Sequence, residues 1–305
     1  MSVENMESLP DIPAGARLDA LLRDRLDLSR SQATRLLDLG WVEVNRRTMK
    51  RSDKGLLLKQ GDKVAVDRRA GGGERPAADS GMQVRVLGRG SGWLAVDKPA
   101  GVPVRPRSAA ETGTLLNAVV AMHPEVVGVG EGGLRSGVVH RLDRDTSGVL
   151  IIAIDQAGWE LWRAGFAEHR AKKRYLAIVS GRFEQAGRIE RDLSMSSHRP
   201  ARVRVDPPGS GPDGARRCAM GAEAVEYLDG ATLIWVDLET GFLHQIRAIM
   251  ASIGHPVLGD RDYGDALAAS AASRQMLHAA ELCLDGERIE SPLPIDVQRV
   301  IEQRR

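Results

Sequence analysis

The sequence predicts an α+β fold whose larger part holds a mixed, largely antiparallel sheet with flanking helices. From about residue 83 to residue 305, short β-rich runs alternate with helical stretches that are not spaced as regular crossovers, which excludes a doubly wound parallel sheet. A separate pattern of helices and strands occupies residues 17–67. The β-rich runs are VRVLG, GWLAVD, GVLIIAI, RYLAIVSG and TLIWVDLET, and we expect helices at 114–122, 155–169 and 243–253.

Residues 17–67 are predicted to begin with two helices. The first is indicated by four leucines at helical spacing, namely Leu18, Leu21, Leu22 and Leu26. Ser29 and Gln32 form a capping-box pattern for the second helix, which should stop at Gly40. The remainder predicts a strand at Trp41–Val44, a turn at Asn45-Arg46, and a strand pair over Leu56–Val66 that turns at Gly61-Asp62.

A chain of 305 residues is long enough for two domains, each with its own core. The stretch RRAGGGERPAADSGM at 68–82 is rich in Gly, Pro, Ala and charge, so we read it as a flexible linker. We therefore expect a disordered tail at 1–16, a small domain at 17–67 and a large domain at 83–305. Within the large domain, residues 196–217 are predicted to form an exposed basic loop.

Positive charge is concentrated in two segments. The whole chain carries a net charge of only +2. Residues 17–67 hold twelve Lys or Arg against eight Asp or Glu, a net of +4, and residues 166–204 hold ten against four, a net of +6. Such basic patches suit a polyanionic partner, and solvated surface faces are the alternative.

Several function classes are excluded by composition. Cys218 and Cys283 are the only cysteines, and no CxxC or nearby histidine spacing indicates a metal site. The acidic start MSVENMESLPD is not a signal peptide, and the longest apolar run is too short to span a bilayer. We therefore expect a cytoplasmic protein with reduced thiols and with neither a metal nor a membrane partner. We also expect a monomer, although no sequence feature fixes the oligomeric state.

The nine residues His140 to Gly148, HRLDRDTSG, are the most informative string in the chain. They place a carboxylate, Asp143, among basic and hydroxyl side chains directly before the apolar run VLIIAI. Arginines favour the charged form of a neighbouring aspartate, and a carboxylate at the edge of a buried strand can act as general base or nucleophile. The alternative is a turn in which Asp143 and Thr146 cap backbone amides.

Four further strings carry reactive or turn-forming residues. They are VDKPAGVPV at 96–104, KKRY at 172–175, TGFLHQIRAIMASIGHPVLGDRDYG at 240–264 and RQMLHAAELCLDGERIESPLP at 274–294. Taken alone, the first is a turn between strands, in which Pro99 and Gly101 position Lys98. Tyr175 alone would be a core residue of a strand, and His244 a helix histidine satisfied by its neighbours.

Together the five strings resemble the motifs of the RluA-type pseudouridine synthases, which convert uridine in RNA to pseudouridine. The resemblance extends over residues 83–294 and keeps the order and spacing of all five motifs. It implies that Asp143 is the catalytic carboxylate, that Tyr175 packs against the target base, and that Arg247 pairs with Asp143. It also implies that five further residues bind the substrate, namely Arg141, His140, Thr146, Leu277 and Lys98. Of these, Arg141 is expected to fill the gap that a flipped base leaves in the RNA.

Other members of these motifs are expected to support the site. His244 and Gln245 resemble supporting residues, and His278 lines the base pocket beside Leu277 or supports it. The chain reads GFLHQIRAI where the family commonly reads GRTHQIRVH, so Phe242, Leu243 and Ile249 replace polar residues. We expect these replacements to change how RNA contacts the predicted helix at 243–253, and therefore which uridine is selected.

Residues 17–67 resemble the alpha-L RNA-binding domain of a small-subunit ribosomal protein. The resemblance implies that a group of basic side chains faces RNA, namely Arg30, Arg35, Arg46 and Arg47. The alternative is a small helical cap whose arginines keep it soluble.

The implied reaction needs no cofactor, because uracil detaches, rotates and reattaches to the ribose through its carbon 5. The uridine must first be flipped out of folded RNA. Asp143 then either removes a ribose proton to give a glycal or attacks the ribose directly, and both routes stay open. Large-subunit ribosomal RNA is the expected substrate and transfer RNA the second. The rival classes are a non-catalytic RNA-binding assembly factor and a hydrolase using Asp143 with His140. The hydrolase would need a second carboxylate, a metal cluster or a nucleophile motif, and the sequence shows no convincing one.

Overall fold

A computed structural model of the chain describes residues 6–26, 28, 30–67, 75–198 and 201–305, and of residues 31, 32, 35 and 198 only the backbone. The strands of these residues form two separate sheets. The smaller sheet has the strand order β1-β4-β2-β3 and packs against two helices. Its elements are β1 (Met6–Ser8), α1 (Leu18–Leu26), α2 (Arg30–Asp38), β2 (Val42–Val44), β3 (Arg47–Thr48) and β4 (Val64–Asp67).

The small sheet has a core of its own. Leu18, Leu21 and Leu22 of α1 are buried with the inward residues of β2 and β4. Asn45 and Arg46 both have positive φ angles, which matches the two-residue turn predicted between β2 and β3. The capping pattern of Ser29 and Gln32 lies outside the described residues and side chains.

Two expectations for this part of the chain are wrong. The predicted tail 1–16 is ordered from residue 6, since Met6–Ser8 pairs antiparallel with β4 and covers an otherwise open sheet edge. The predicted strand pair over Leu56–Val66 is a single strand, β4. Leu57 only forms an isolated bridge with Arg17, because the chain there runs along the start of α1.

The larger sheet has ten strands in the order β10-β9-β11-β12-β8-β13-β7-β6-β5, with β14 paired to β13. Every pair is antiparallel except β13 with β7, which confirms the predicted mixed sheet. Its strands are β5 (Arg85–Gly90), β6 (Trp93–Lys98), β7 (Ser147–Ala153), β8 (Lys172–Ser180), β9 (Gly187–His198), β10 (Ala201–Asp206), β11 (Arg216–Leu228), β12 (Ala231–Leu238), β13 (Leu277–Leu284) and β14 (Glu287–Glu290). Its helices are α3 (Leu115–Met122), α4 (Gln156–Ala167), α5 (Gln245–Ser252), α6 (Ala266–Ser270) and α7 (Ile295–Gln303).

The centre of the large sheet is covered on both faces. Leu150 and Ile152 of β7 lie in a core that includes α3 and α5, whereas Val149 and Ile151 face the opposite core with Trp162 of α4. This double burial explains the uninterrupted apolar run VLIIAI. The segment that holds Asp143 therefore runs directly into a strand that is buried on both faces.

Half of the predicted basic loop at 196–217 is strand. Residues 196–198, 201–206 and 216–217 belong to β9, β10 and β11, of which β9 pairs with both others, and among the described residues the glycine- and proline-rich tip at 207–215 lies outside these strands. The sequence was misleading because these strands carry many polar residues. Within the region described, no helix combines the length and hydrophobicity that crossing a bilayer requires.

The linker prediction for 68–82 also needs correction in its second half. Asn117 donates from Nδ2 to the Ala77 carbonyl at 2.6 Å, and the Asp79 amide donates to the Asn117 carbonyl at 3.0 Å. Met82 packs against the large core. Residues from Ala77 onward are therefore fastened to the large sheet, while residues 68–74 lie outside the described part.

Candidate active site

The loop before β7 and the start of α5 bring Asp143 and Arg247 together. Arg247 donates from Nη1 to Asp143 Oδ2 at 3.0 Å, 104 residues away in sequence. The Arg247 side chain is 5% exposed and that of Asp143 is 18% exposed, so the pair is shielded while the carboxylate still reaches a cavity. A partly buried charge-assisted hydrogen bond of this kind fixes both side chains.

Arg247 is itself held by two further carboxylates. It donates from Nε and Nη2 to the two oxygens of Asp260, each at 2.7 Å, and from Nη2 to Asp262 at 2.8 Å. Burial alone would lower the pKa of Arg247. The hydrogen bonds and charges of Asp260, together with the charge of Asp143, outweigh burial and raise it. The guanidinium is therefore a permanent cation at the wall of the site.

His244 completes the surroundings of Asp143. Tyr263 accepts a hydrogen bond from the Val203 amide at 2.9 Å, so its hydroxyl proton is available to His244 Nδ1, 3.0 Å away. His244 Nε2 then carries the ring proton and faces Asp143 Oδ1 at 3.8 Å. Burial lowers the pKa of His244, so the ring is neutral and acts as a neighbour rather than as a second cation.

Tyr175 lies on β8 at the same cavity as Asp143. Its side chain is buried, and burial together with the charge of Asp143 raises the pKa of the phenol. The hydroxyl therefore stays protonated at neutral pH. Leu277, at the start of the adjacent strand β13, is buried and lines the same cavity.

The cavity has a volume of about 630 Å³, which is enough for a nucleoside. We call it the active-site cavity. Its lining residues include most of the side chains singled out from the sequence, together with apolar ones from α4 and the loop before α5. Among the lining residues are Asp143, Tyr175, Arg247, Arg141, His140, Thr146, Leu277, His244, Gln245, Phe166, Lys173, Phe242 and Leu243.

His140 is locked in one tautomer. Its Nε2 accepts from the Ile151 amide of β7 at 3.0 Å, and its ring stacks against Phe166 with centroids 4.6 Å apart. Burial, and to a smaller extent the charge of Lys173, lowers the pKa of His140 to about 3. A neutral ring that accepts at Nε2 carries its proton on Nδ1.

The segment that follows Asp143 is held by hydrogen bonds with β13 and with the residues just before β13. Thr146 accepts at Oγ1 from Gln275 Nε2 at 2.7 Å. His278 donates from Nε2 to the Ser291 carbonyl at 3.2 Å, so its Nδ1 accepts from Ser147 Oγ at 3.0 Å. His278 therefore braces β7 against β13 and does not line the cavity.

Lys98 also differs from its expected role. Its ammonium donates to three carbonyls, those of Pro99, Val102 and Arg144, each at 2.8 Å. The side chain is fully buried and does not line the active-site cavity. Burial lowers the pKa of Lys98 to about 7. The predicted substrate-binding role is wrong because all three donors are used to tie the Pro99 turn to the loop that carries Asp143.

Sequence reasoning missed Asp260, Asp262 and Lys173. The first two lie in the string that holds Arg247, where the acidic DRD was the available signal. Lys173 lies two residues before Tyr175, lines the cavity and donates from Nζ to the Thr240 carbonyl at 3.1 Å. Burial lowers the pKa of Lys173 to about 8.

The basic residues predicted to face RNA in the small sheet are separate from this cavity. Arg30, Arg46 and Arg47 are exposed, and the side chain of Arg35 lies outside the description. Across the described ranges, no cluster of three or more His, Cys, Asp or Glu side chains is arranged to hold a metal ion.

Comparison with known proteins agrees with this geometry. A family model described as RNA pseudouridylate synthase matches residues 92–252. An uncharacterized RNA pseudouridine synthase of Chloroflexus aurantiacus is 33% identical over 98% of this chain and 93% of its own. The ribosomal large subunit pseudouridine synthase D of Zymomonas mobilis is 33% identical over 93% of this chain and 92% of its own.

Solved structures share the fold. Human RNA pseudouridylate synthase domain containing 4 superposes with a TM-score of 0.57 at 19% identity, over 72% of this chain and 92% of that one. Human RNA pseudouridylate synthase domain containing 1 gives a TM-score of 0.55 at 24% identity, over 70% and 83% of the two chains.

Proposed function

The chain belongs to the RluA family of RNA pseudouridine synthases, and we propose that it isomerises specific uridines of large-subunit ribosomal RNA. The substrate assignment is supported by relatives named as large-subunit ribosomal synthases, such as that of Nitrosomonas europaea, which is 32% identical over 97% of this chain. Transfer RNA is the second candidate substrate. We further propose that the enzyme acts as a monomer in the cytoplasm and needs no cofactor.

Asp143, Tyr175 and Arg247 form the proposed reacting centre. The observation that carries this assignment is the 3.0 Å contact between Arg247 and Asp143 at the wall of the active-site cavity. A uridine flipped into this cavity meets a carboxylate whose position is already fixed, so no reorganisation is needed during the reaction. Tyr175 and Leu277 offer an aromatic and an aliphatic surface to the base.

The reaction breaks the N1–C1′ bond and forms a C5–C1′ bond. In the glycal route, Asp143 takes a ribose proton as uracil leaves and returns it after uracil has rotated and bonded through C5. In the direct route, the carboxylate bonds to C1′ and is displaced by C5. Either way C5 finally loses its proton and N1, now free of the ribose, gains one, so that the product is an isomer of uridine. A cavity that excludes water retains the detached base.

Residues outside the reacting centre are proposed to bind and position the RNA. Arg141 is exposed at the rim, so its planar guanidinium can stack in the gap that the flipped base leaves. His140 and Thr146 shape the cavity wall. The small sheet at residues 17–67 is the proposed alpha-L RNA-binding domain, in which Arg30, Arg35, Arg46 and Arg47 contact RNA.

The test is pseudouridine mapping of total RNA from cells with and without the gene. We expect specific positions of large-subunit ribosomal RNA to lose pseudouridine, and to regain it with the parent gene but not with Asp143→Asn. Loss confined to transfer RNA would replace the proposed substrate by the second candidate. Unchanged maps for every RNA would refute the proposal.

A further inference from the structure

A second cavity, with a volume of about 570 Å³, lies beside the active-site cavity. We call it the arginine cavity, because six arginines line it, namely Arg105, Arg107, Arg135, Arg141, Arg144 and Arg163. Among its described lining residues the acid is Glu131, which accepts from Arg135 at 2.8 Å. Six cations against one anion leave this wall strongly positive.

Two of these arginines are paired with acids, Arg107 with Glu111 at 3.6 Å and Arg135 with Glu131 at 2.8 Å, whereas the partners of two others orient them without cancelling their charge. Arg144 donates from Nε to the Gly101 carbonyl at 2.9 Å, and Arg163 donates from Nη1 to the Val139 carbonyl at 3.1 Å. In the parts of the chain that are described, neither Arg105 nor Arg141 has an ion-pair partner within 4.0 Å, although Arg105 is half-buried. Burial, then the charges of Arg135 and Arg141, lower the pKa of Arg105. Four of the six arginines therefore have no ion-pair partner among the described residues.

The two cavities share a wall. Val139, His140, Arg141, Leu142 and Arg163 line both of them. Asp143 lines only the active-site cavity, and the next residue, Arg144, lines only the arginine cavity. Because the two cavities share this wall, a phosphate next to a nucleotide held in the first cavity can reach the second.

We propose that the arginine cavity is a subsite that binds a backbone phosphate of an RNA nucleotide next to the flipped uridine. This inference rests on the proposed function, because it takes the active-site cavity as the place of that uridine. Guanidinium groups pair with phosphate oxygens through two parallel hydrogen bonds, and the added anion relieves the repulsion among the clustered cations. Arg105 is the residue whose charge the subsite uses most, since it is half-buried and forms no ion pair with any described residue.

The test uses the full chain and a short single-stranded RNA that the parent enzyme modifies. Single phosphates around the target are replaced, one at a time, by neutral methylphosphonate. With the parent enzyme we expect one flanking replacement to raise KM about tenfold with little change in kcat, as the loss of a charge-assisted hydrogen bond predicts. With Arg105→Met, KM is raised about tenfold already, and the same replacement adds almost nothing.

Two further variants distinguish phosphate binding from other roles of Arg105. Arg105→Lys keeps the charge and is expected to retain much of the phosphate dependence, whereas a base stacked on Arg105 would need the guanidinium plane. Arg299→Met is the matched control, because Arg299 is exposed on α7 and lines neither cavity. It should behave like the parent. Thermal melting should show Arg105→Met to be at least as stable as the parent, since it removes an unpaired cation.

Equal effects of every neutral linkage on the parent and on Arg105→Met would overturn the subsite. An Arg105→Lys variant as impaired as Arg105→Met, with no linkage dependence, would assign the cavity to a base and overturn it as well. In either case the parent would still form pseudouridine, so the proposed function would stand. If the parent enzyme were inactive on every ribosomal RNA fragment, the proposed function on which this inference rests would itself fail.

Discussion

Asp260 holds Arg247 through two parallel hydrogen bonds of 2.7 Å, one to each carboxylate oxygen. This leaves Nη1 of Arg247 for Asp143, at 3.0 Å. The Asp260 side chain is 0% exposed and does not line the active-site cavity. The orientation of the proposed catalytic carboxylate therefore depends on a buried acid that no substrate touches. This arrangement leads to the first two predictions.

Asp143→Asn should abolish pseudouridine formation and leave the fold intact. Asn is nearly isosteric and keeps an oxygen that accepts from Arg247, so packing around the pair is preserved. It cannot take a ribose proton or bond to C1′. The measurement is pseudouridine formed in ribosomal RNA fragments, alongside thermal melting. Substantial turnover by the variant would show that another group carries the chemistry.

Arg247→Met should lower activity severely and reduce the free energy of unfolding by ~3–5 kcal/mol, because it leaves the buried Asp260 uncompensated. Adding Asp260→Asn should restore part of the stability, since Asn can still accept from the amides of Asp262 and Tyr263. Activity should not return, because Asp143 still lacks its partner. Urea unfolding of the two single variants and the double variant measures this coupling. A double variant no more stable than Arg247→Met would contradict it.

The lowered pKa of Lys173 predicts that RNA affinity depends on pH. Burial lowers the pKa of Lys173 to about 8, so the ammonium is mostly charged below that pH and mostly neutral above it. A cavity wall that loses a cation attracts RNA less, and KM should rise as the pH increases through 8. Lys173→Arg stays charged over this range and should flatten the rise. KM profiles of parent and variant that run in parallel would exclude Lys173 as the cause.

Gly148→Ala should destabilise the protein and disturb the site together. Gly148 has a φ of +117°, and a Cβ there would lie 2.1 Å from the Ala279 carbonyl oxygen on β13. The strain of an unfavourable backbone alone costs about 1–3 kcal/mol, and the parallel contact between β7 and β13 must also open. Because β7 directly follows the Asp143 loop, kcat should fall as well. As a control, Gly187→Ala also faces a positive φ but has open space, so it should cost less. Equal melting temperatures for the two variants would refute the close-contact argument.

The sequence predicts which residues form the site better than it predicts which groups these residues hydrogen-bond. Asp143 and Arg247 were paired from the motif resemblance, since both are embedded in long, specific strings. The three carbonyls around Lys98 belong to residues at separations of 1, 4 and 46, and no spacing rule brings the last of these near. Similarly, Asp260 follows Arg247 by 13 residues, beyond the end of α5, so only the folded turn brings the two together.

Strand prediction failed where the strands are polar. The run from β9 to β11 alternates arginines and acids with few large apolar residues, and its tip PPGSGPDG has the composition of a loop. Apolar residues at alternate positions, among them Leu193, Val203 and Met220, join the large core, but the polar residues between them and the loop-like tip hide this alternation in the sequence. In contrast, the apolar strands β6, β7 and β12 were located from the sequence, because their two faces are buried in different cores.

Deleting residues 1–75 should weaken RNA binding and flatten its salt dependence while leaving the large sheet folded. The cut precedes Ala77, whose carbonyl is held by Asn117 at 2.6 Å, so the attachments of residues 77–82 remain. The removed segment carries a net charge of +4 between residues 17 and 67, and Arg30, Arg46 and Arg47 are exposed on it. Each lost phosphate contact should reduce the slope of log affinity against log salt by roughly 0.7–0.9.

The deletion also separates binding from chemistry. Every residue of the proposed reacting centre lies beyond residue 140, and the buried cluster of the small sheet includes no described residue beyond Val66. A short stem-loop should therefore still react, with a higher KM and a similar kcat. Filter binding at several salt concentrations, with full-length and truncated protein, measures the slopes. If the slopes are identical, residues 17–67 do not anchor RNA, and the proposed alpha-L domain must be given up even if the truncated enzyme remains active.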